Sequence, residues 1–120
     1  MSPKKILICD DEEGVREALK VVLSDHYPLV LVESADAAME ALAKTKDIGL
    51  AFIDIKMPKT GGFEILPKIK KDHPHVKVII ITGYRSAEIA ADATELGAVG
   101  YMPKPFKSEE LLEAVKKHLK

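Results

Sequence analysis

Residues 6–23 of the chain read ILICDDEEGVREALKVVL, and the fold prediction rests on this stretch. The run from Ile6 to Cys9 is apolar and suited to a β-strand, and an acidic turn follows it. Apolar side chains then recur at the spacing of one helical face, at Val15, Ala18, Leu19, Val22 and Leu23. This spacing predicts an amphipathic helix of about three turns. The stretch is therefore predicted to form a strand that leads directly into a helix.

The same alternation of strand and helix continues outward from this unit. Four more strands are predicted at Leu29 to Val32, Leu50 to Ile53, Val76 to Ile81 and Val99 to Met102. Helical patterns lie between and after them, at Ala35 to Leu42, Phe63 to Lys70, Ile89 to Leu96 and from Ser108 onward. Strict alternation with short connections predicts right-handed crossovers and a parallel sheet covered by helices on both faces. We expect an open α/β sandwich, because a closed eight-fold barrel needs about twice this length.

Local signals mark several helix ends. Ser34 and Ser86 can cap the second and fourth helices, because a serine side chain accepts hydrogen bonds from amides of the first turn. Gly97 can end the fourth helix in a left-handed conformation. Pro67 falls in the third helical pattern, where it must either lie in the first turn or kink the helix.

The composition predicts one compact domain over residues 1–120, because a chain of this size buries roughly two thirds of its unfolded surface. The 18 Lys and Arg residues balance 19 Asp and Glu and are scattered, which argues against direct nucleic acid binding. The one cysteine indicates a reducing compartment. The apolar runs are far shorter than the ~18 residues of a membrane span. We expect a cytoplasmic protein that does not enter a membrane.

Polar side chains lie at the ends of the predicted strands. Asp10 and Asp11 follow the first strand, Asp54 the third and Thr82 the fourth, and Lys104 lies just beyond the fifth. Each has an ordinary explanation when taken alone: a helix cap, a turn carboxylate, a strand end or a solvated lysine. A parallel sheet, however, brings its carboxyl ends to one edge, where open α/β folds bind ligands. We therefore expect one polar cluster there.

Three clustered carboxylates repel one another unless a positive charge compensates them. Carboxylate and carbonyl oxygens are the ligands that Mg²⁺ prefers, so the sequence predicts a magnesium site. A bound Mg²⁺ would allow one carboxylate to attack a phosphoryl group while a lysine and a hydroxyl hold its oxygens. His73 and His75 precede the fourth strand and are expected at the opposite edge, and Cys9 is expected to be a small core residue.

This arrangement resembles the receiver domain of two-component response regulators over essentially the whole chain. The resemblance implies a flavodoxin-like three-layer sandwich with strand order 2-1-3-4-5. Each matching motif taken alone is only weakly specific for this family, but all of them in this order along the chain are highly specific. The matching segments are Asp10-Asp11, Asp54 with Met57-Pro58 and Gly61-Gly62, Thr82-Gly83, Gly97-Ala98, and Tyr101 before Lys104-Pro105-Phe106.

The resemblance also implies a role for each site residue. Asp54 would be the phosphoacceptor, Asp11 and Asp54 direct Mg²⁺ ligands, and Asp10 a ligand acting largely through water. Lys56 would contribute its backbone carbonyl to the metal. Lys104 would pair with the phosphoryl group, with a cis peptide bond before the following proline.

The remaining implied roles concern switching and the lifetime of the phosphorylated state. Thr82 would turn its hydroxyl toward the phosphoryl oxygens while Tyr101 rotates inward. Lys56 and Tyr84, two positions beyond Asp54 and Thr82, would tune the lifetime of the aspartyl phosphate.

The resemblance implies a signalling phosphoacceptor rather than an enzyme, although one that promotes its own phosphorylation and slow dephosphorylation. Its phosphodonor would be a sensor histidine kinase, a histidine phosphotransfer protein or a small acyl phosphate. The output would pass to a downstream effector domain or protein through the surface around the fourth and fifth helices, and the sequence leaves open whether these helices also mediate a homodimer. The sequence leaves open whether the domain acts alone or within a longer regulator.

Three alternatives belong to other functional classes. A small Mg²⁺-dependent phosphatase of the haloacid-dehalogenase type would also use Asp54 as a nucleophile, but such enzymes have a second aspartate where Lys56 stands. An FMN carrier would need amide and hydroxyl donors where the acidic turn lies. A phosphate-independent scaffold receiver would not need the intact set of site residues.

Overall fold

The chain folds as five strands and five helices that alternate, as described by a computed structural model for residues 4–83 and 86–119. The strands are β1 (Lys5–Cys9), β2 (Leu29–Val32), β3 (Ile48–Asp54), β4 (Lys77–Thr82) and β5 (Gly100–Pro103). The helices are α1 (Glu13–Leu23), α2 (Ala35–Lys44), α3 (Gly62–Asp72), α4 (Ala87–Glu95) and α5 (Ser108–His118). All strand pairs are parallel, in the order β2-β1-β3-β4-β5. The predicted open α/β sandwich and its strand order are therefore confirmed.

Two apolar cores lie on opposite faces of the sheet, because successive strand side chains point to opposite sides. In β1, Ile6 and Ile8 pack in one core, whereas Leu7 and Cys9 pack in the other. The core with Ile6 and Ile8 receives α1 and α5, and the core with Leu7 receives α2, α3 and α4. Every residue of the central strand β3 is buried. The sheet is therefore covered on both faces, and the polar carboxyl ends of its strands lie at one edge.

The predicted helix caps are present. The hydroxyl of Ser34 accepts a hydrogen bond from Ala37 N–H at 3.1 Å, and that of Ser86 accepts one from Ile89 N–H at 3.4 Å. Gly97 has the left-handed conformation, with φ of 106°. Pro67 lies within α3 beyond its first turn, where it offers no N–H to the carbonyl four residues before it.

Strand boundaries differ slightly from the prediction. Asp54 and Thr82 are the last residues of β3 and β4, not the first residues after them. Val76 precedes β4, because its N–H donates to His73 O at 2.9 Å within a turn. Across residues 4–83 and 86–119, no helix combines the length and the apolar composition needed to cross a bilayer.

Candidate functional site

The carboxyl ends of β1, β3 and β4 and the segment after β5 meet at one edge of the sheet. Asp10 follows β1, Asp54 and Thr82 end β3 and β4, and Lys104 follows β5. An open pocket of about 600 Å³ lies over this edge, bordered by Asp11, Asp54, Thr82 and Lys104 among others. The predicted convergence of these side chains is therefore present.

Four carboxylates form one cluster at this edge of the sheet, and three of them border the pocket. Asp10, Asp11, Glu12 and Asp54 can each offer a carboxylate oxygen, and these oxygens all lie within 4.8 Å of one another. Asp10 and Asp54 are buried, whereas Asp11 and Glu12 are exposed. Glu12 was not among the predicted site residues, although its position directly after the two aspartates was a signal. An all-oxygen donor set of this kind suits a hard divalent cation, so the cluster could hold a metal.

Lys104 is the positive charge that compensates the cluster. Its Nζ lies 2.9 Å from Asp10 Oδ2, 3.4 Å from Glu12 Oε1 and 3.6 Å from Asp54 Oδ2. Asp10 Oδ2 is buried, so its ion pair with Nζ is largely shielded from solvent. Burial disfavours the ammonium, but contact with Asp10 and the charges of Asp54 and Glu12 outweigh it and raise the pKa of Lys104.

The backbone around Lys104 also matches expectation. Its N–H donates to Thr82 O at 2.6 Å, which continues the pairing of β4 with the segment after β5. The Lys104–Pro105 peptide bond is cis, as the resemblance implied.

Asp54 borders the pocket, and its surroundings raise the pKa of its carboxyl. Burial and the charge of Asp10 raise the pKa of its carboxyl from 3.8 to about 6, against the opposing effects of Lys104 and a backbone hydrogen bond. That bond comes from Lys56 N–H, which donates to Asp54 Oδ1 at 3.4 Å. The carboxyl is therefore mostly ionised at neutral pH and loses its charge when the solution becomes mildly acidic.

The loop after Asp54 folds back tightly onto the end of β3. Gly62 N–H donates to Ile55 O at 2.8 Å. A Cβ atom on Gly62 would lie 2.5 Å from Asp54 O, and one on Gly61 would lie 2.3 Å from Ile55 O. Only glycine permits this close approach of two backbone segments. The two glycines therefore help to position the peptide that follows Asp54.

The two residues predicted to respond to phosphorylation lie in different places. Thr82 is buried beside the pocket. Tyr101 is half-buried and lies away from the pocket, where its hydroxyl accepts a hydrogen bond from Ser86 N–H at 3.3 Å. Tyr101 thus contacts the residue that caps α4. Tyr84, which was predicted to tune the phosphate lifetime, lies outside the described residues.

Arg16 is a second basic residue at the cluster, and it was not among the predicted site residues. Its Nη1 donates a hydrogen bond to Asp10 O at 2.7 Å, and its Nη2 lies 3.8 Å from Glu33 Oε2. The available signal was its position in α1, one helical turn after Glu12.

The residues that were predicted to lie outside the site do so. His73 and His75 border a pocket beside Asp47, before the first residue of β3, at the opposite edge of the sheet. Cys9 is completely buried, with its Sγ 3.5 Å from Met57 Sδ. Burial raises the pKa of the Cys9 thiol to about 12, and nearby carboxylates contribute to the rise.

Comparison with known proteins identifies the family of this chain. The family model described as "Response regulator receiver domain" matches residues 6–116. The chain belongs to this family. The receiver domain is 34% identical over 120 residues to sporulation initiation phosphotransferase F of Bacillus subtilis, covering 99% of this chain and 96% of that protein. It is 35% identical over 115 residues to response regulator protein FleR of Pseudomonas aeruginosa, covering 95% of this chain.

A solved structure agrees with this identification. The receiver domain resembles the crystal structure of a CheY-like response regulator receiver domain protein from Methanospirillum hungatei JF-1, with a TM-score of 0.91 and 34% identity. That match covers 98% of this chain and 94% of the other. The receiver domain spans only 24% of FleR and 26% of the alginate regulator AlgB of Pseudomonas aeruginosa, but 96% of the sporulation phosphotransferase. Receiver domains are signalling phosphoacceptors of two-component systems, so the phosphatase, FMN-carrier and scaffold alternatives are not favoured.

Proposed function

We propose that residues 1–120 form one receiver domain that accepts a phosphoryl group on Asp54. The observation that carries this proposal is the position of Asp54, which is buried, borders an open pocket and lies among three other carboxylates. Lys104 Nζ, 3.6 Å from Asp54 Oδ2, supplies a positive charge beside the attacking oxygen. Because the pKa of Asp54 is about 6, most of the carboxyl is ionised and nucleophilic at neutral pH.

In the proposed transfer, a carboxylate oxygen of Asp54 attacks the phosphorus of a phosphohistidine or a small acyl phosphate. A P–O bond to Asp54 forms while the bond from phosphorus to the donor breaks, and the leaving group departs with that electron pair. The pocket is open enough for a donor to approach from solvent. Little further chemistry is required of the protein, because phosphoryl transfer depends mainly on positioning and charge neutralisation. The domain in this sense promotes its own phosphorylation, and slow hydrolysis would reset it.

The cation that the cluster would hold is Mg²⁺. Asp11 and Asp54 would bind it directly, Asp10 largely through water, and Lys56 through its backbone carbonyl. Support comes from the all-oxygen donor set within 4.8 Å and from the burial of Asp10 and Asp54, whose charges are costly without a counterion. When bound, Mg²⁺ would neutralise charge on the phosphoryl oxygens during transfer.

After transfer, Lys104 and Thr82 would hold the phosphoryl oxygens. These contacts would favour one of two arrangements of α4 and Tyr101. The two are linked because the Tyr101 hydroxyl accepts a hydrogen bond from the N–H of Ser86, the N-cap residue of α4. A coupling of about 1–3 kcal/mol is typical of such switches, equivalent to at least a five-fold change in partner affinity. Lys56 and Tyr84 would set how long the phosphate persists.

The partners that follow from this chemistry are a sensor histidine kinase or a histidine phosphotransfer protein as donor, and a downstream effector as receiver of the signal. A homodimer through α4 and α5 is part of the proposal. We place the domain in the cytoplasm, where such donors are available, with no direct contact to nucleic acid or membrane.

The test is phosphorylation by acetyl phosphate and Mg²⁺, followed by intact-protein mass spectrometry. Wild type is expected to gain one phosphoryl group and Asp54→Asn none. Asp92→Asn, which alters an exposed carboxylate in α4, is the matched control and should be phosphorylated like wild type. Equal phosphorylation of the Asp54 variant would refute the assignment, and release of the phosphate from many ester molecules per protein would favour the phosphatase alternative.

A further inference from the structure

Arg16 holds the peptide that joins the first two residues of the acidic turn. Its Nη1 donates to Asp10 O at 2.7 Å, a short hydrogen bond from a charged donor. Its other contact, at 3.8 Å to Glu33, involves a carboxylate side chain that is 75% exposed, and such ion pairs contribute little. The Arg16 side chain is itself only 17% exposed. The hydrogen bond to Asp10 O is therefore the contact that fixes the Arg16 guanidinium.

Other contacts hold the amide and the side chain of Asp10. Its N–H donates to Val32 O at 3.2 Å, and its Oδ1 accepts from Glu12 N–H at 2.9 Å. Its Oδ2 faces Lys104. With the side chain and the amide held, the orientation of the next peptide is controlled by the carbonyl that Arg16 binds. Asp11 follows directly on that peptide, so the direction of its exposed carboxylate depends on this bond.

We infer that Arg16 is a positioning residue for the metal cluster, which orients the Asp10–Asp11 peptide so that Asp11 is already placed to bind Mg²⁺. The inference rests on the proposed function, because it takes Asp11 as a ligand. Arg16 does not itself contact the cation. Groups that hold a ligand in place commonly change metal affinity when they are altered.

The charge of Arg16 acts in the opposite direction to its hydrogen bond. A fixed positive charge beside the carboxylates repels a second cation, so removing the charge alone would strengthen Mg²⁺ binding. Arg16→Lys separates the two effects, because lysine keeps the charge but lacks the planar, pre-oriented donor group. Arg16→Gln removes the charge.

The experiment is an Mg²⁺ titration of the whole chain without any phosphodonor, followed by the amide resonances of Asp11 and Glu12. Arg16→Lys is expected to weaken Mg²⁺ binding at least about threefold, less than the roughly tenfold or larger effect typical of groups bonded to the ligand itself, because Arg16 binds the peptide and not the carboxylate of Asp11. Glu33→Gln removes the ion pair but leaves the bond to Asp10, and it should bind Mg²⁺ within about twofold of wild type. Urea unfolding of each variant reports stability separately.

Three results would overturn the inference. If Arg16→Lys lowers stability but binds Mg²⁺ like wild type, the residue is merely structural. If Arg16→Lys binds like wild type while Arg16→Gln binds more tightly, Arg16 acts through its charge alone. If wild type shows no Mg²⁺-dependent shift of these resonances, the proposed function itself fails, a result distinct from the other two.

Discussion

Asp54→Asn is expected to make the receiver domain harder to unfold at neutral pH in magnesium-free buffer, although it removes the proposed phosphoacceptor. Burial and the neighbouring charge of Asp10 raise the pKa of Asp54 from 3.8 to about 6. The folded protein therefore keeps a proton on Asp54 at pH values where the unfolded chain has released it. Between about pH 4 and pH 6 the folded state binds more protons, so its stability falls as pH rises through this window.

The size of the effect follows from the pKa shift. The rise of the Asp54 pKa from 3.8 to about 6 means that, above pH 6, keeping this carboxyl ionised in the folded protein lowers the free energy of unfolding by about 3 kcal/mol. An asparagine side chain is neutral at every pH and similar in shape, so it avoids this cost, although its NH2 group needs a hydrogen-bond partner that a carboxylate does not need. We therefore expect Asp54→Asn to raise the free energy of unfolding by about 1–3 kcal/mol at about pH 8. The difference should nearly vanish at about pH 4.

Urea unfolding followed by far-ultraviolet circular dichroism measures this difference, since the chain has no tryptophan for fluorescence. Asp92→Asn is the control, because its exposed carboxylate should change stability by less than about 0.5 kcal/mol. Added Mg²⁺ should narrow the gap by stabilising wild type more than the variant. A variant that is less stable than wild type at about pH 8, or a gap that does not change between pH 4 and 8, would refute the reasoning.

Three further predictions concern other parts of the site and its support. Lys104→Ala should retain some phosphorylation by acetyl phosphate but lose the accompanying shifts of amide resonances in α4; shifts equal to those of wild type would contradict its role in switching. Gly62→Ala should lower the free energy of unfolding by about 1–3 kcal/mol, because its Cβ would lie 2.5 Å from Asp54 O. Gly14→Ala, which meets no atom within 4 Å, is the matched control and should cost nothing in a urea titration. The Cys9 thiol, buried and with a pKa of about 12, should react with a disulfide reagent only as fast as the protein unfolds; rapid labelling of the folded protein at about pH 8 would show that it is accessible.

Local pattern was enough to predict the elements of the fold. The apolar runs and helical spacings place all five strands and helices, because each signal lies within a few neighbouring residues. Errors are confined to strand ends, as at Val76, where a turn hydrogen bond replaces the expected strand pairing. Local pattern did not predict the strand order. Alternation of strands and helices predicts a parallel sheet, but several strand orders satisfy it, and the correct order came from the family resemblance.

The sequence by itself also determined where the site lies. Asp10, Asp54, Thr82 and Lys104 each occur at the carboxyl end of a strand, and parallel pairing brings such ends to one edge wherever the strands stand in the sheet. The location of the site therefore follows without knowledge of side-chain positions. The chemical roles of these residues remain predictions.

Only the tertiary structure decided how the charges at that edge are arranged. Lys104 pairs with Glu12 across 92 positions of sequence. Arg16 donates a hydrogen bond to the carbonyl of Asp10, and the Tyr101 hydroxyl accepts one from the N–H of Ser86, the N-cap residue of α4. The contacts of Lys104 and Tyr101 have no local signal, because each joins segments that meet only after folding, and the spacing of Arg16 from Glu12 did not show that it would bind the carbonyl of Asp10. The acidity of Asp54 likewise depends on burial and on neighbouring charges, which the packing of the whole sheet creates.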